Sequence, residues 1–169
     1  MSLSNSERLI LLNQYSILEK LDPDYEAYYG LKKEIVENGY VQDYGELYQT
    51  LAEEVEEITT KEVWDILQMY RSITFSYDKL KDKEGLEKTD IKFRGFDGNN
   101  ETTHMFYTKF VLHKLDRYKE LWDDEKYPDY NTHSPRLEKY RRMLKVWKLE
   151  SDRYDSHLSA QEIKTILNA

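Results

Sequence analysis

The sequence predicts an all-α protein: one compact domain over residues 1–169, with about seven helices around a central apolar helix. Three observations carry this. Apolar residues recur three and four positions apart through most of the chain, the spacing that lines one face of a helix. A Ser/Thr-x-x-Glu capping box opens an apolar run at Ser4–Glu7, at Thr59–Glu62 and at Ser159–Glu162. Strand-like alternation is nearly absent, with only Ile91–Phe96 reading as briefly extended.

The elements follow in order. Ser4 and Glu7 open a first helix over Arg8–Leu21. Asp22 caps a second helix, with Pro23 at its first position and Gly39 ending it. Tyr44–Leu51 reads as a short third. Thr59 and Glu62 form the box of the fourth, stapled by Ile58 and Val63, and that helix runs to about Lys81. Asp82–Asn100, with Gly85, Gly95 and Gly98, is a long polar connection. The fifth helix covers Glu101–Trp122. It is apolar nearly all round (Met105, Phe106, Phe110, Val111, Leu112, Leu115, Leu121), which makes it the candidate centre. Asp123–His133, containing Pro128, is a loop. Ser134-Pro135 opens a sixth helix ending near Glu150, and Ser159 with Glu162, stapled by Leu158 and Ile163, opens the seventh.

Composition bounds the function. The chain has no cysteine, which excludes disulfides and every cysteine-based catalyst. No apolar run approaches the ~20 residues that span a bilayer, and the start lacks the pattern of a signal peptide, so no membrane partner and a cytoplasmic location are expected. Met1-Ser2-Leu3 reads as partly a cloning remnant. Net charge is −8, and the first sixty residues hold 13 acids against 4 bases. Nucleic-acid binders concentrate basic surface against phosphates, so this balance argues against them. The fifteen tyrosines suit the half-buried rims between helices.

Motifs that carry chemistry are missing: no phosphate-binding loop, dinucleotide fingerprint, nucleophile elbow or zinc-protease helix. Glu101-Thr-Thr-His104 has the spacing of a di-iron ligand pair but lacks its required second copy. Asp97-Gly-Asn99-Asn-Glu101 imitates the start of a calcium loop, but Thr102 and Thr108 stand where its glycine and closing glutamate belong. No metal and no cofactor are expected.

Three sets of residues remain as candidates. Trp64, Gln68, Arg71 and Phe75 form a second stripe on the fourth helix, opposite its core face, and read as the centre of a homodimer interface. An intramolecular cover by another helix explains the stripe equally well. Gln14 falls on the apolar face of the first helix, and His113 near Phe106 and Phe110 on the fifth. Both read as hydrogen-bonded core groups, or alternatively as polar groups of a pocket. The sixth helix turns Leu137, Tyr140, Met143, Leu144 and Trp147 inward, with Arg141, Arg142, Lys145 and Lys148 outward. That basic face is merely solvated, or pairs with the acidic run Glu53, Glu54, Glu56 and Glu57 within or between subunits, or contacts phosphates.

Three segments together, Ser6–Tyr15, Phe93-Arg-Gly-Phe-Asp97 and His157–Ala169, resemble the YfbU-like family of small bacterial proteins in order and spacing. The resemblance runs from about Asn5 to Ala169. It implies no particular reaction. Domains of that family occur fused to helix-turn-helix segments, which implies ligand sensing.

The expected function is therefore a non-catalytic regulatory or interaction module, a homodimer that senses a small ligand or binds a protein partner. An enzyme with an unrecognised helical site, in which Gln14, His113 and the tyrosines line a cavity, is one alternative. A nucleic-acid-associated protein using the basic helix is the other.

Overall fold

In a computed structural model of the chain, residues 2–122, 129–150 and 157–169 are described. Met1 of the expected remnant and Asp123–Pro128 of the expected loop lie outside them. The fold is all-α. The described α-helices are α1 (Asn5–Leu21), α2 (Glu26–Asn38), α3 (Glu57–Lys79), α4 (Thr102–Lys109), α5 (Leu137–Glu150) and α6 (Ala160–Leu167). Among the described residues the backbone pairs laterally at one isolated bridge, Phe96 with Asn131. The chain packs as two compact units, Met1–Glu54 and Val55–Ala169.

In the first unit, the Ser4–Glu7 box opens α1 as expected. Pro23 starts a 3₁₀ turn rather than α2, which begins at Glu26. Gly39 ends α2 with φ of 69°, a left-handed conformation that glycine adopts without strain. Arg8 reaches the freed carbonyls there, donating to Val36 at 2.9 Å and Glu37 at 2.8 Å. The expected third helix is a 3₁₀ segment, Val41–Tyr48. Ile35, Val36, Tyr44 and Leu47 form a small core, against which Leu11, Leu12 and Tyr15 pack.

The second unit is built on α3, which packs against α4, α5 and α6. Val63, Ile66, Leu67, Met69, Tyr70 and Ile73 are all buried along it. The centre is thus the fourth expected helix, not the fifth. The fifth fails because the chain reverses: α4 continues through one π turn to Lys114, then Asp116 (φ 56°) and Tyr118 (φ 53°) break it in left-handed conformations. Tyr118 and Leu121 fold back into the core, while Phe106 and Phe110 face outward.

Of the two remaining capping boxes, one forms. Ser159 and Glu162 satisfy each other's backbone donors at α6, with Leu158 and Ile163 buried as the staple. Thr59 and Glu62 do not, because α3 starts two residues before Thr59 and leaves Ile58 exposed. Glu62 binds other partners instead.

Candidate functional site

Between α3 and α4 the segment Ile91–Arg94 alternates: Ile91 and Phe93 are buried, while Lys92 and Arg94 line a cleft of 440 Å³. Gly95 fixes the path of this segment. Its φ is 89°, and a Cβ there would lie 2.0 Å from the carbonyl oxygen of Tyr130. The close approach lets Phe96 donate to Tyr130 and accept from Thr132, each at 2.9 Å. Phe96 and Phe93 then close over the core with Tyr140.

Arg136 and Lys139, three residues apart around the start of α5, line the same cleft, as does Lys164 from α6. Five cations from three elements thus face one concavity in a chain of net charge −8. Asp90 is the only carboxylate among the described lining residues. Lys164 also donates to the Glu84 carbonyl at 2.7 Å and pairs with the Glu84 carboxylate at 3.5 Å. Among the described residues the buried Nε–H of Arg136 has no hydrogen-bond partner.

Beneath the cations lie Tyr70 of α3 and Tyr140 of α5, ring centroids 5.6 Å apart. Burial pushes the Tyr70 hydroxyl well up, against the opposing effects of Tyr140, Arg94 and Arg136. Burial raises Tyr140 too, and neighbouring Tyr70 adds to it. Tyr140 donates to the Gly95 carbonyl at 2.9 Å. Both tyrosines are neutral and their hydroxyls already engaged, so they make a floor rather than a base.

At the start of α5 the first two backbone donors are already taken. Glu101 accepts from the N–H of Arg136 at 2.8 Å and of Leu137 at 2.7 Å, and its other oxygen accepts from Asp97 at 2.9 Å.

The residues expected from the sequence are distributed differently. Trp64 donates to the Tyr107 hydroxyl at 3.0 Å and packs on Tyr118, 5.6 Å between ring centroids. Gln68 accepts from Tyr118 at 3.4 Å. Arg71 pairs with Glu120 and lies over the Tyr118 ring at 4.0 Å. The reversed segment after α4 covers these three from within the chain. Phe75 is left 40% exposed.

Gln14, in the first unit, and His113, in the second, are exposed, so neither is the core group expected. Neither lines the basic cleft. On the basic face of α5, Arg141 holds Glu62 at 2.7 Å and Glu138 at 2.6 Å, and Lys148 holds Asp65 at 2.7 Å. Within the chain the acidic partners are thus Glu62 and Asp65 on α3 and Glu138 on α5 itself, and the residues of the run Glu53–Glu57 are exposed. Arg142 donates to the Ala169 carbonyl at 3.2 Å, and Lys145 is exposed. Glu101 and His104 share no site: the first caps α5 and the second lies 3.0 Å from Glu62.

Sequence reasoning missed the cleft. Its one local signal is the alternation Ile91-Lys-Phe-Arg94. Lys139 and Lys164 alone look like ordinary solvated charges, and only the tertiary fold brings them together.

A family model for the YfbU domain matches residues 1–169, the full length of the chain, and spans both compact units. The chain belongs to the YfbU domain family.

Proposed function

We propose that this YfbU domain is a non-catalytic regulatory module that senses a small anionic ligand in the cleft lined by Lys92, Arg94, Arg136, Lys139 and Lys164. The observation that carries the reading is the convergence of five cations on one concavity of an acidic protein. Like charges gathered this way repel one another, and a bound anion relieves the repulsion. The cleft's volume falls within the roughly 300–1,000 Å³ that small-molecule sites occupy. Its buried tyrosines are neutral with engaged hydroxyls, and its lone described carboxylate, Asp90, already accepts from the Glu87 N–H at 2.9 Å, which favours binding over catalysis.

Homodimer formation belongs to the same reading, since two-fold dimers are the commonest assembly of small soluble chains. Sedimentation of the whole chain tests it. The covering of Trp64, Gln68 and Arg71 within the chain favours a dimer face elsewhere. A cytoplasmic location is also part of this reading and is checked by cell fractionation. Among the described residues no helix is long and apolar enough to cross a membrane.

The test is untargeted mass spectrometry of small molecules carried through purification by the parent and by Arg94→Glu/Lys139→Glu. Anionic species present with the parent and lost with the folded variant support the reading. Identical profiles sink it.

A further inference from the structure

We infer that the cleft takes a small molecule bearing two or more linked phosphoryl groups, rather than a single anion. The inference rests on the cleft being the ligand site, and it adds the ligand's chemical class. Lys92 and Arg94 stand on the extended segment, Arg136 and Lys139 at the start of α5, and Lys164 on α6, so charge is presented from three elements. A tetrahedral phosphoryl group offers oxygens in several directions, whereas a planar carboxylate offers two in one plane. A phosphoryl group also brings about −1.5 to −2 charges near neutral pH, so two linked groups match a cleft lined by several cations better than one does.

The arginines sharpen the choice. A guanidinium grips phosphoryl oxygens with two parallel N–H donors, and two arginines, Arg94 and Arg136, line the cleft. Glu101 holds the first backbone donors of α5, so this is not the single-phosphate seat of a helix N-terminus. The 440 Å³ available is more than one phosphate fills.

The experiment is isothermal titration of the full chain at about 0.15 M salt, where distant charges are screened. The probes are orthophosphate, pyrophosphate, tripolyphosphate and citrate. Pyrophosphate and tripolyphosphate are expected to bind at least about tenfold more tightly than orthophosphate and citrate. Lys139→Glu and Arg94→Glu are each expected to weaken pyrophosphate about tenfold or more, with circular dichroism showing both variants folded. If Arg94→Glu does not fold, Lys139→Glu alone decides, because that residue carries no capping or core role.

Equal affinity for orthophosphate or citrate overturns the ligand class and leaves the cleft as an anion site. Tight pyrophosphate binding that the folded variants leave unchanged overturns both the class and the cleft reading, and so does no binding by any probe. Vesicles of phosphatidylcholine with phosphatidylinositol bisphosphate complete the set. Binding to these alone, without free pyrophosphate, overturns the soluble ligand in favour of a lipid headgroup.

Discussion

Glu101 caps a helix that begins 36 residues after it, its Oε1 accepting the backbone N–H of Leu137 at 2.7 Å. The same buried carboxylate holds the N–H groups of Arg136 and Asp97. One side chain thus satisfies the start of α5 and the turn that precedes α4. Glu101→Ala leaves three donors without acceptors and is expected to cost about 3 kcal/mol or more. Glu101→Gln keeps one acceptor oxygen and should cost roughly half as much. Urea denaturation measures both, and equal stability of parent and Glu101→Ala would show the cap to be idle.

The pH dependence of stability should run through Glu62. Burial pushes its carboxyl up, but hydrogen bonds from Arg141 and His104 outweigh this, and the net shift is downward from 4.5. A carboxylate with a depressed folded value contributes stability above its unfolded value. That contribution is lost as pH falls through the folded value. The Glu62 contribution is therefore complete above about pH 4.5 and fades below it. Glu62→Gln should be less stable than the parent at pH 7, with the gap closing as acid is added. Melting temperatures across that range check it, and a gap that widens in acid would contradict the assignment.

How much of this could be read from the sequence depends on range. Ser4–Glu7, Ser159–Glu162 and Gly39 act within a few residues, and their capping roles follow from local spacing. The inward face of α5 follows likewise from periodicity, with Tyr140, Met143, Leu144 and Trp147 buried. Thr59–Glu62 has the same spacing as the working boxes, yet Arg141 and His104 take Glu62 from elsewhere in the chain. The fifth helix misled because apolar residues on all sides suit a buried helix and a chain that doubles back equally well. The left-handed Asp116 and Tyr118 decide between them; aspartate tolerates that conformation better than most residues, but Tyr118 gives no sign of it. The cleft is the extreme case, because residues from 92 to 164 meet only once the fold is complete.

Trp64 and Phe75 should now behave oppositely. Trp64 lies under Tyr107 and Tyr118, so Trp64→Ala is expected to cost about 3–5 kcal/mol in thermal or urea unfolding. Phe75, 40% exposed, should tolerate Phe75→Ser for about 1 kcal/mol or less. A severe loss at Phe75 with little at Trp64 would reverse the packing described.

Helix α5 should bind duplex nucleic acid poorly despite its basic face. Arg141 and Lys148 are committed to Glu62 and Asp65, leaving little concentrated positive surface there. Gel shifts at about 0.15 M salt are expected to show no complex with duplex DNA or RNA. Micromolar binding abolished by Arg142→Glu with Lys145→Glu would revive that function.

Gly95 ties the fold to the cleft. Its neighbour Arg94 lines the cleft, and Phe93 and Phe96 on either side are buried in the core. Any side chain at this position meets two obstacles at once: a φ of 89°, which L-residues rarely adopt, and the Tyr130 carbonyl, 2.0 Å from the new Cβ. The strained backbone alone costs about 1–3 kcal/mol, and overpacking against a backbone oxygen adds about as much again. Gly95→Ala should therefore lose at least about 2 kcal/mol, and surviving folded protein should bind anions more weakly, because the bridge that aims Arg94 has shifted. Urea denaturation gives the first quantity and pyrophosphate titration the second. Parent-like stability in Gly95→Ala would mean that the segment can follow another path, and the close approach to Tyr130 would then not be what holds Arg94 in place.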